Sequence, residues 1–298
     1  MLKNKYLLIV NPVAGRNKIQ NLEQNICDCL NQYNIHPDVF SSEYKNHIYH
    51  YVQKLSRSLY TDIIIWGGDG TFNEVINGLL NRNDDYLPVL GFLPGGSGNS
   101  VMHDLECLTL DKAIKTISQK NKKFIDVMAI HFPGIIEYSI NIAGWGMVAD
   151  IASLAEKLRC LGPVRYTLAS IVYIIIANIR DCVLSIDNVV EKNSFLFITI
   201  SNTIFTGKGM KVSPHAKLDD GKLDINIVKG DIGRFKLAYL LPKIFTGKHI
   251  ASKYVHYLQG QNIKLDFTSE QKINIDGEIK QGSSMNIKIL PKKLPIYY

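Results

Sequence analysis

Residues 63–76 read IIIWGGDGTFNEVI, and no other stretch restricts the fold as much. Four apolar residues, Ile63 to Trp66, run unbroken into Gly67, Gly68, Asp69 and Gly70, and Thr71 opens a helical pattern. Such a run reads as a strand buried on both faces, as in parallel sheets covered by helices. Three glycines in four positions carry a large conformational-entropy cost, so something must approach this backbone closely. A strand that enters a helix through such a turn presents backbone N–H groups and the positive end of the helix dipole, which suits an anion of phosphate size. Thr71 and Glu74 have the spacing of a capping box, which predicts the helix start there.

Similar grammar surrounds this segment. Tyr6–Val10, Val39–Ser41, Asp62–Trp66 and Val89–Leu93 read as strands, and Lys18–Tyr33, His47–Leu59, Phe72–Leu80 and Leu110–Ser118 as helices. The alternation predicts a parallel α/β unit with helices on both faces. Four polar or glycine-rich strand ends then share its carboxyl edge, where such sheets bind ligands: 11–15, Ser41-Ser42, 67–70 and 95–99. After about Lys122 the pattern changes. Eight strands are predicted, at 124–130, 135–142, 183–186, 194–200, 222–228, 262–267, 271–275 and 284–289. They imply an antiparallel β domain, interrupted by one helical tract from Gly146 to Ile179. The expected boundaries are 1–125 and 126–290, with 290–298 left open to return to the first unit.

Bulk properties exclude several classes. The chain has 298 residues, 46% hydrophobic and 20% charged, which is far from disorder. YLLIV at 6–10 is too short for a secretory core, and LASIVYIIIA at 168–177 is too short to span a bilayer. A cytoplasmic protein is the expectation. Cys27, Cys29, Cys107, Cys160 and Cys182 lack paired metal-site spacing and read as reduced thiols. His47 and His50 lie one turn apart without a visible third ligand and read as a helix face. Residues 1–179 hold 16 basic and 16 acidic side chains, whereas 180–298 hold 18 and 11, so the whole +7 excess lies in the C-terminal part. This asymmetry suggests a basic surface facing phosphates or anionic headgroups. The tract 168–177 reads either as core or as a lipid-facing groove, with Arg159, Arg165 and Arg180 around it.

The common nucleotide fingerprints are absent. Asn73 and Val101 stand where the third glycine of GxGxxG should be, and no GxxxxGK[ST] occurs. Asp69 beside phosphates would repel them unless a divalent cation or an ordered water network intervenes, and Mg²⁺ is the natural solution.

The combination GGDGTFNEV at 67–75, NPVAG at 11–15 and PGGSGN at 94–99 resembles the ATP-binding motifs of the diacylglycerol kinase catalytic-domain family, which includes bacterial lipid kinases and the sphingosine and ceramide kinases. PHAKLDDGKLDI at 214–225 and NIDGE at 274–278 are similar to its C-terminal motifs, so the resemblance covers nearly the whole chain. It implies an α/β ATP-binding domain of the NAD kinase/diacylglycerol kinase type, a C-terminal antiparallel β-sandwich for the lipid, and an active site in the cleft between them. Carried over residue by residue, Asn11, Pro12, Val13, Ala14, Gly15, Ser42, Gly67, Gly68, Asp69, Gly70, Thr71, Phe72, Asn73 and Ser97 would sit on ATP. Ser42 and Ser97 replace a threonine of many bacterial members. Asp220 matches the family's Mg²⁺-binding aspartate, with backbone oxygens near Lys217 and Lys222 as companions, in a role that looks structural.

Asp276 and Glu278 fall in the segment that supplies the family's catalytic base, and Asp69 joins them as a catalytic carboxylate. If residues 274–279 stay extended, the two carboxylates share one face about 7 Å apart; the competing reading of Asp276-Gly277 is a plain hairpin turn. Glu278 is preferred as the base. The expected activity is ATP- and Mg²⁺-dependent phosphorylation of a lipid hydroxyl. Diacylglycerol is favoured, and GSGN at 96–99 keeps a sphingoid base open. The competing readings are an NAD kinase and a catalytically silent nucleotide- or lipid-binding protein. The expected partners are a lipid alcohol and an anionic membrane bound peripherally, without nucleic acid, and with homodimerisation left open.

Overall fold

The computed structural model describes residues 5–14, 21–57, 59–132, 134–158, 161–162, 164–176, 178–207 and 209–298. Gly15, Arg159 and Cys160 lie outside the described residues. The fold is mixed α/β, and the chain divides into two compact units. Met1–Val127, Gly207–Gly209 and Lys292–Tyr298 form the first, and Met128–Thr206 with Met210–Pro291 the second.

In the first unit, β1 (Tyr6–Val10), α1 (Leu22–Asn31), β2 (Pro37–Ser41), α2 (His47–Lys54), β3 (Asp62–Gly67), α3 (Asp69–Leu80), β4 (Val89–Pro94), α4 (Ser100–Asp104) and α5 (Leu110–Gln119) follow one another. The strands are parallel in the order β4-β3-β1-β2. Every residue of β1 and β3 is buried, which explains their unbroken apolar runs. The amphipathic faces of α1 and α2 bury Ile26 and Leu30, and Ile48 and Val52. Helix α2 stops at Lys54, short of the predicted Leu59.

Strand β5 (Lys122–Phe132) carries the chain into the second unit. There follow β6 (Ile135–Ser139), β7 (Ile142–Gly146), α6 (Met147–Lys157), α7 (Val164–Ile175), β8 (Arg180–Ile186), β9 (Val189–Ser201), β10 (Phe205–Thr206), β11 (Met210–Lys211), β12 (Leu223–Lys229), α8 (Arg234–Leu240), β13 (Val255–Gly260), β14 (Asn262–Ile275) and β15 (Glu278–Tyr297). Strand order is β13-β12-β9-β7-β14-β15, all antiparallel, with β8 bridging β14 and β9. Alternate residues of these strands, among them Ile198, Ile200, Ile225, Ile227, Ile273 and Ile275, build one buried core with Trp145 and Phe195. A second cluster joins Met147 of α6, Leu196, Val228, Leu237 and Leu240 of α8, and Val255, with Tyr173 and Ile174 of α7 packed against it.

Three expectations fail here. The tract 146–179 is two helices, not one. Gly162 between them adopts φ +61°, a left-handed backbone that a helix cannot contain. The strand predicted at 135–142 breaks after Ser139, because Ser139 Oγ accepts the Asn141 N–H at 3.1 Å and turns the chain. The two strands predicted at 262–267 and 271–275 are one strand whose register shifts between Asp266 and Gln271. Segments β13 and α8 had no counterpart in the sequence reading.

The end of β15 returns to the first unit. Ile296 pairs with Leu90 of β4 in parallel, and Lys292 N–H donates to Asp126 Oδ1 at 2.7 Å. The Tyr297 hydroxyl donates to the buried Asp62 carboxylate, whose Oδ2 also accepts from Thr61 Oγ1 at 2.5 Å. Tyr297→Phe should therefore lower stability by about 1–3 kcal/mol, the cost of under-serving a buried carboxylate. A denaturant midpoint equal to wild type would contradict that role.

Candidate active site

The turn after β3 is shaped first by its neighbour. Gly95 N–H donates to Gly67 O at 2.8 Å, so the turns after β3 and β4 lie backbone against backbone. A Cβ on Gly96 would stand 2.4 Å from Gly68 Cα, and one on Gly95 would stand 2.9 Å from both Gly67 N and the Trp66 ring. A Cβ on Gly67 would strike Thr71 at 2.4 Å. Only Gly70 of this turn faces open space. Gly67, Gly68 and Gly70 are all expected on ATP; the packing of this protein by itself already requires glycine at 67, 68, 95 and 96, whereas at Gly70 it leaves room for a side chain.

Helix α3 starts at Asp69 with Gly68 as its N-cap, three residues before the predicted start, and no side chain caps it. The expected capping box is therefore not formed. Thr71 is buried inside the first turn and accepts from Asn11 Nδ2 at 3.0 Å, while Glu74 accepts from Asn46 N–H at 3.4 Å. An uncapped amino end of a twelve-residue helix keeps its positive end available to an anion. Asp69 is the first residue of that helix. It is half-buried, its Oδ1 accepting the Ser100 N–H at 2.8 Å and its Oδ2 the Ser100 Oγ–H at 3.1 Å. Burial raises its carboxyl pKa, against the opposing pull of the hydrogen bonds from Ser100 and Val101. Ser100 was missed from sequence because nothing local links positions 69 and 100.

The remaining nucleotide candidates separate. Asn11 fastens the first loop: its N–H donates to Trp66 O at 3.1 Å, and its Oδ1 accepts from Val13 N–H at 3.2 Å. Pro12 and Val13 are exposed and Ala14 is half-buried on the same loop. Ser42 N–H donates to Val10 O at 2.9 Å, which sets Ser42 beside the end of β1, and Ser97 is exposed on the loop after β4. These positions and 67–70 share the carboxyl edge of the parallel sheet. Phe72 is a correction. It is 1% exposed and packs against Phe92 with the rings tilted and their centroids 4.7 Å apart, so its side chain belongs to the core. Asn73 Oδ1 accepts from Asn77 Nδ2 at 3.1 Å within α3.

In the second unit, Asp276 and Gly277 are a two-residue hairpin turn between β14 and β15, with φ +50° and +93°. The segment 274–279 is therefore not extended, and the expected pair of carboxylates on one strand face does not exist. Asp276 Oδ1 accepts from Ser139 Oγ at 2.8 Å and from Ile142 N–H at 3.0 Å, and Asp276 N–H donates to Ile142 O at 3.0 Å. Glu278 is exposed at the first position of β15. Lys280 lies between two carboxylates, its Nζ 3.5 Å from Glu278 Oε2 and 3.1 Å from Glu137 Oε2. Burial lowers the Lys280 pKa, yet these partners leave it raised overall; burial raises that of Glu137. Neither Glu137 nor Lys280 carried a signal in the sequence.

Among the described residues no group of three or more His, Cys, Asp or Glu side chains is arranged to hold a metal. A cation in the 214–225 segment would need backbone oxygens beside Asp220. Asp220 is exposed and its Oδ1 accepts from Lys222 N–H at 3.0 Å across a turn whose Gly221 has φ +70°. Lys217 and Lys222 are exposed. Asp224 Oδ1 accepts from Tyr257 OH at 2.6 Å and Gln259 Nε2 at 3.1 Å, but its fully buried Oδ2 has no partner. Burial and the nearby charge of Asp220 both raise the Asp224 pKa. A divalent cation at Asp220 fits this corner, since it would offset that repulsion.

Residues 5–130 match the diacylglycerol kinase catalytic domain, and residues 141–298 match the YegS C-terminal NAD kinase beta sandwich-like domain. The chain is 25% identical to a diacylglycerol kinase of Bacillus subtilis over 91% of this chain and 88% of that protein. It is 25% identical to sphingosine kinase 1 of Arabidopsis thaliana over 93% of this chain and 66% of that one. Its fold matches a crystal structure of a diacylglycerol kinase from Bacillus anthracis with a TM-score of 0.75 at 21% identity, covering 99% of this chain and 97% of that one.

The two classes of glycine respond differently to a methyl group. Gly96→Ala should cost about 1–3 kcal/mol, because backbone must move. Gly70→Ala should leave the melting temperature unchanged or higher, as for any exposed helical glycine, and weaken ATP binding. Equal nucleotide affinity for Gly70→Ala and wild type would remove the phosphate site from this turn. For the Asp220 corner, Mg²⁺ should raise the melting temperature of wild type but not of Asp220→Asn, which keeps the acceptor for Lys222 N–H. A melting curve indifferent to Mg²⁺ would empty that site of its assigned ion.

Proposed function

The chain belongs to the lipid kinase family built from a diacylglycerol kinase catalytic domain and a YegS-type C-terminal domain, and from that premise we propose that it transfers the γ-phosphate of ATP to a lipid hydroxyl, with diacylglycerol as the favoured acceptor. The observation that carries this is the uncapped amino end of α3, with Gly70 open beside it and Asp69 held by Ser100. A second reading, with a sphingoid base as acceptor, is favoured by Ser97 and Asn99 of the loop after β4.

In this reading the first unit holds the donor and the second supplies the proton acceptor. The first-turn amides of α3 receive phosphate oxygens. Asn11 fixes the loop 11–14 against Thr71, and Ser42 and Ser97 offer hydroxyls at the same sheet edge. Glu278 accepts the proton of the lipid hydroxyl as its oxygen bonds to the γ-phosphorus and the bond to the β–γ bridging oxygen breaks, leaving ADP. Asp276 is not given this task, because its Oδ1 holds Ser139 and Ile142 in place. It positions the turn that delivers Glu278. Asp69 would hold Mg²⁺ on the donor side, where the ion would offset phosphate charge, and Asp220 with backbone oxygens near Lys217 and Lys222 would hold a second, structural ion in the second unit.

Radiolabelled ATP offered with diacylglycerol, a sphingoid base, ceramide and NAD tests the reading. Label in a lipid is expected, and label in NAD alone would overturn it. Asp69→Ala should abolish transfer, and Glu278→Gln should lower kcat by about 10²–10⁴-fold. The pH profile separates Lys280 from a merely structural residue. A carboxylate that loses a neighbouring cation holds its proton more strongly, so Lys280→Met should move the acid limb of kcat/KM to higher pH. An unmoved limb would detach Lys280 from the base.

A further inference from the structure

We infer that the outer face of α7, α8 and the 3₁₀ turn Leu241–Thr246 is a docking surface for an anionic lipid bilayer. The tract 168–177 reads from sequence either as core or as a lipid-facing groove, and among its described residues only Ala169 is buried. Ile171, Val172 and Ile175 are 48%, 40% and 57% exposed. Phe235 and Tyr239 of α8 are 94% and 67% exposed, and Phe245 of the 3₁₀ turn is 53% exposed. The exposed side chains of α7 and α8 lie on the sides away from the core for a packing reason. Tyr173 and Ile174 of α7 and Leu237 and Leu240 of α8 are seated on one cluster over β9, β12 and β13. Helix α7 contacts α8, and α8 contacts the 3₁₀ turn, so their outward sides adjoin.

Charge complementarity selects the occupant. Residues 230–256 carry Arg234, Lys236, Lys243, Lys248 and Lys253 against one acid, Asp231, and 164–179 contain no acid. The cations stand beside the aromatic rings: Lys243 Nζ is 4.0 Å from the Tyr239 centroid, and Lys236 Nζ is 4.7 Å from that of Tyr254. Exposed aromatic and branched side chains fringed by lysine suit the headgroup boundary of a bilayer, the apolar groups entering it and the cations meeting lipid phosphates. An apolar protein partner would leave five cations without counter-charge. The choice of a bilayer rests on the lipid kinase reading, but the surface can be tested without it.

The test is flotation of the full chain with phosphatidylcholine vesicles, with and without phosphatidylglycerol, at low and high salt. Light scattering and melting curves run alongside. Wild type should float with the anionic vesicles, less at high salt, and little with neutral ones. Combined Phe235→Ser, Tyr239→Ser and Phe245→Ser should lower binding about tenfold or more with an unchanged melting temperature. Activity on a detergent-solubilised lipid alcohol should also be unchanged. Lys236→Glu with Lys243→Glu should abolish the preference for anionic vesicles. Absence of flotation, or binding that the triple variant retains, would overturn the inference. So would a wild-type dimer that the triple variant converts to a monomer, since the face would then be covered by a second copy. A chain that floats but phosphorylates no lipid keeps this surface and removes the kinase reading. One that phosphorylates in detergent but never floats removes the surface alone.

Discussion

Two turns meeting backbone to backbone are the contact on which the first unit's site depends. The ends of β3 and β4 approach until Gly95 N–H reaches Gly67 O at 2.8 Å and Gly96 faces Gly68 with no room for a Cβ. That approach sets where α3 begins, and hence where its first-turn amides and Asp69 stand. The same loop carries Asn99, whose Oδ1 accepts from Gly96 N–H at 2.9 Å, and Ser100, which takes both oxygens of Asp69. A half-buried carboxylate held this way is fixed in direction before any ligand arrives, which is the condition for positioning catalysis.

The second unit uses a turn for a related purpose by different means. Asp276 and Gly277 take the left-handed angles of a tight hairpin, and the Asp276 carboxylate ties that hairpin to Ser139 and Ile142. Glu278 follows at the first residue of β15 with Lys280 beside it. One acid is spent on geometry so that the next is placed, and a lysine shared with the half-buried Glu137 tempers its charge. Such a division of labour between two neighbouring carboxylates fits a site that needs one acceptor rather than two.

Helices α6, α7 and α8 pack on one cluster of the second unit, α6 burying most of its apolar residues and α7 only Ala169 among those described. No helix among the described residues is long and apolar enough to cross a membrane. An apolar outer face with a lysine fringe is costly in water unless something covers it.

How much of this was legible beforehand follows from the range of each interaction. The parallel strands of the first unit were readable because burial on both faces leaves an unbroken apolar run, as in Ile63–Trp66. Asp69, Glu278 and the glycines stood out as candidates by composition and spacing, and the family motifs ordered them along the chain. Side-chain pairings between distant positions were not readable: Ser100 with Asp69, Glu137 with Lys280, Asp276 with Ser139, Tyr297 with Asp62. Nor was it readable that Gly67, Gly68, Gly95 and Gly96 are hemmed in by their neighbours while Gly70 is open, or that Phe72 turns inward. A sequence determines which residues are capable of a strand, a turn or a charge, because those preferences act over a few positions. Which capable residues meet is decided only when the sheets close, since that depends on packing between segments with no local trace of one another.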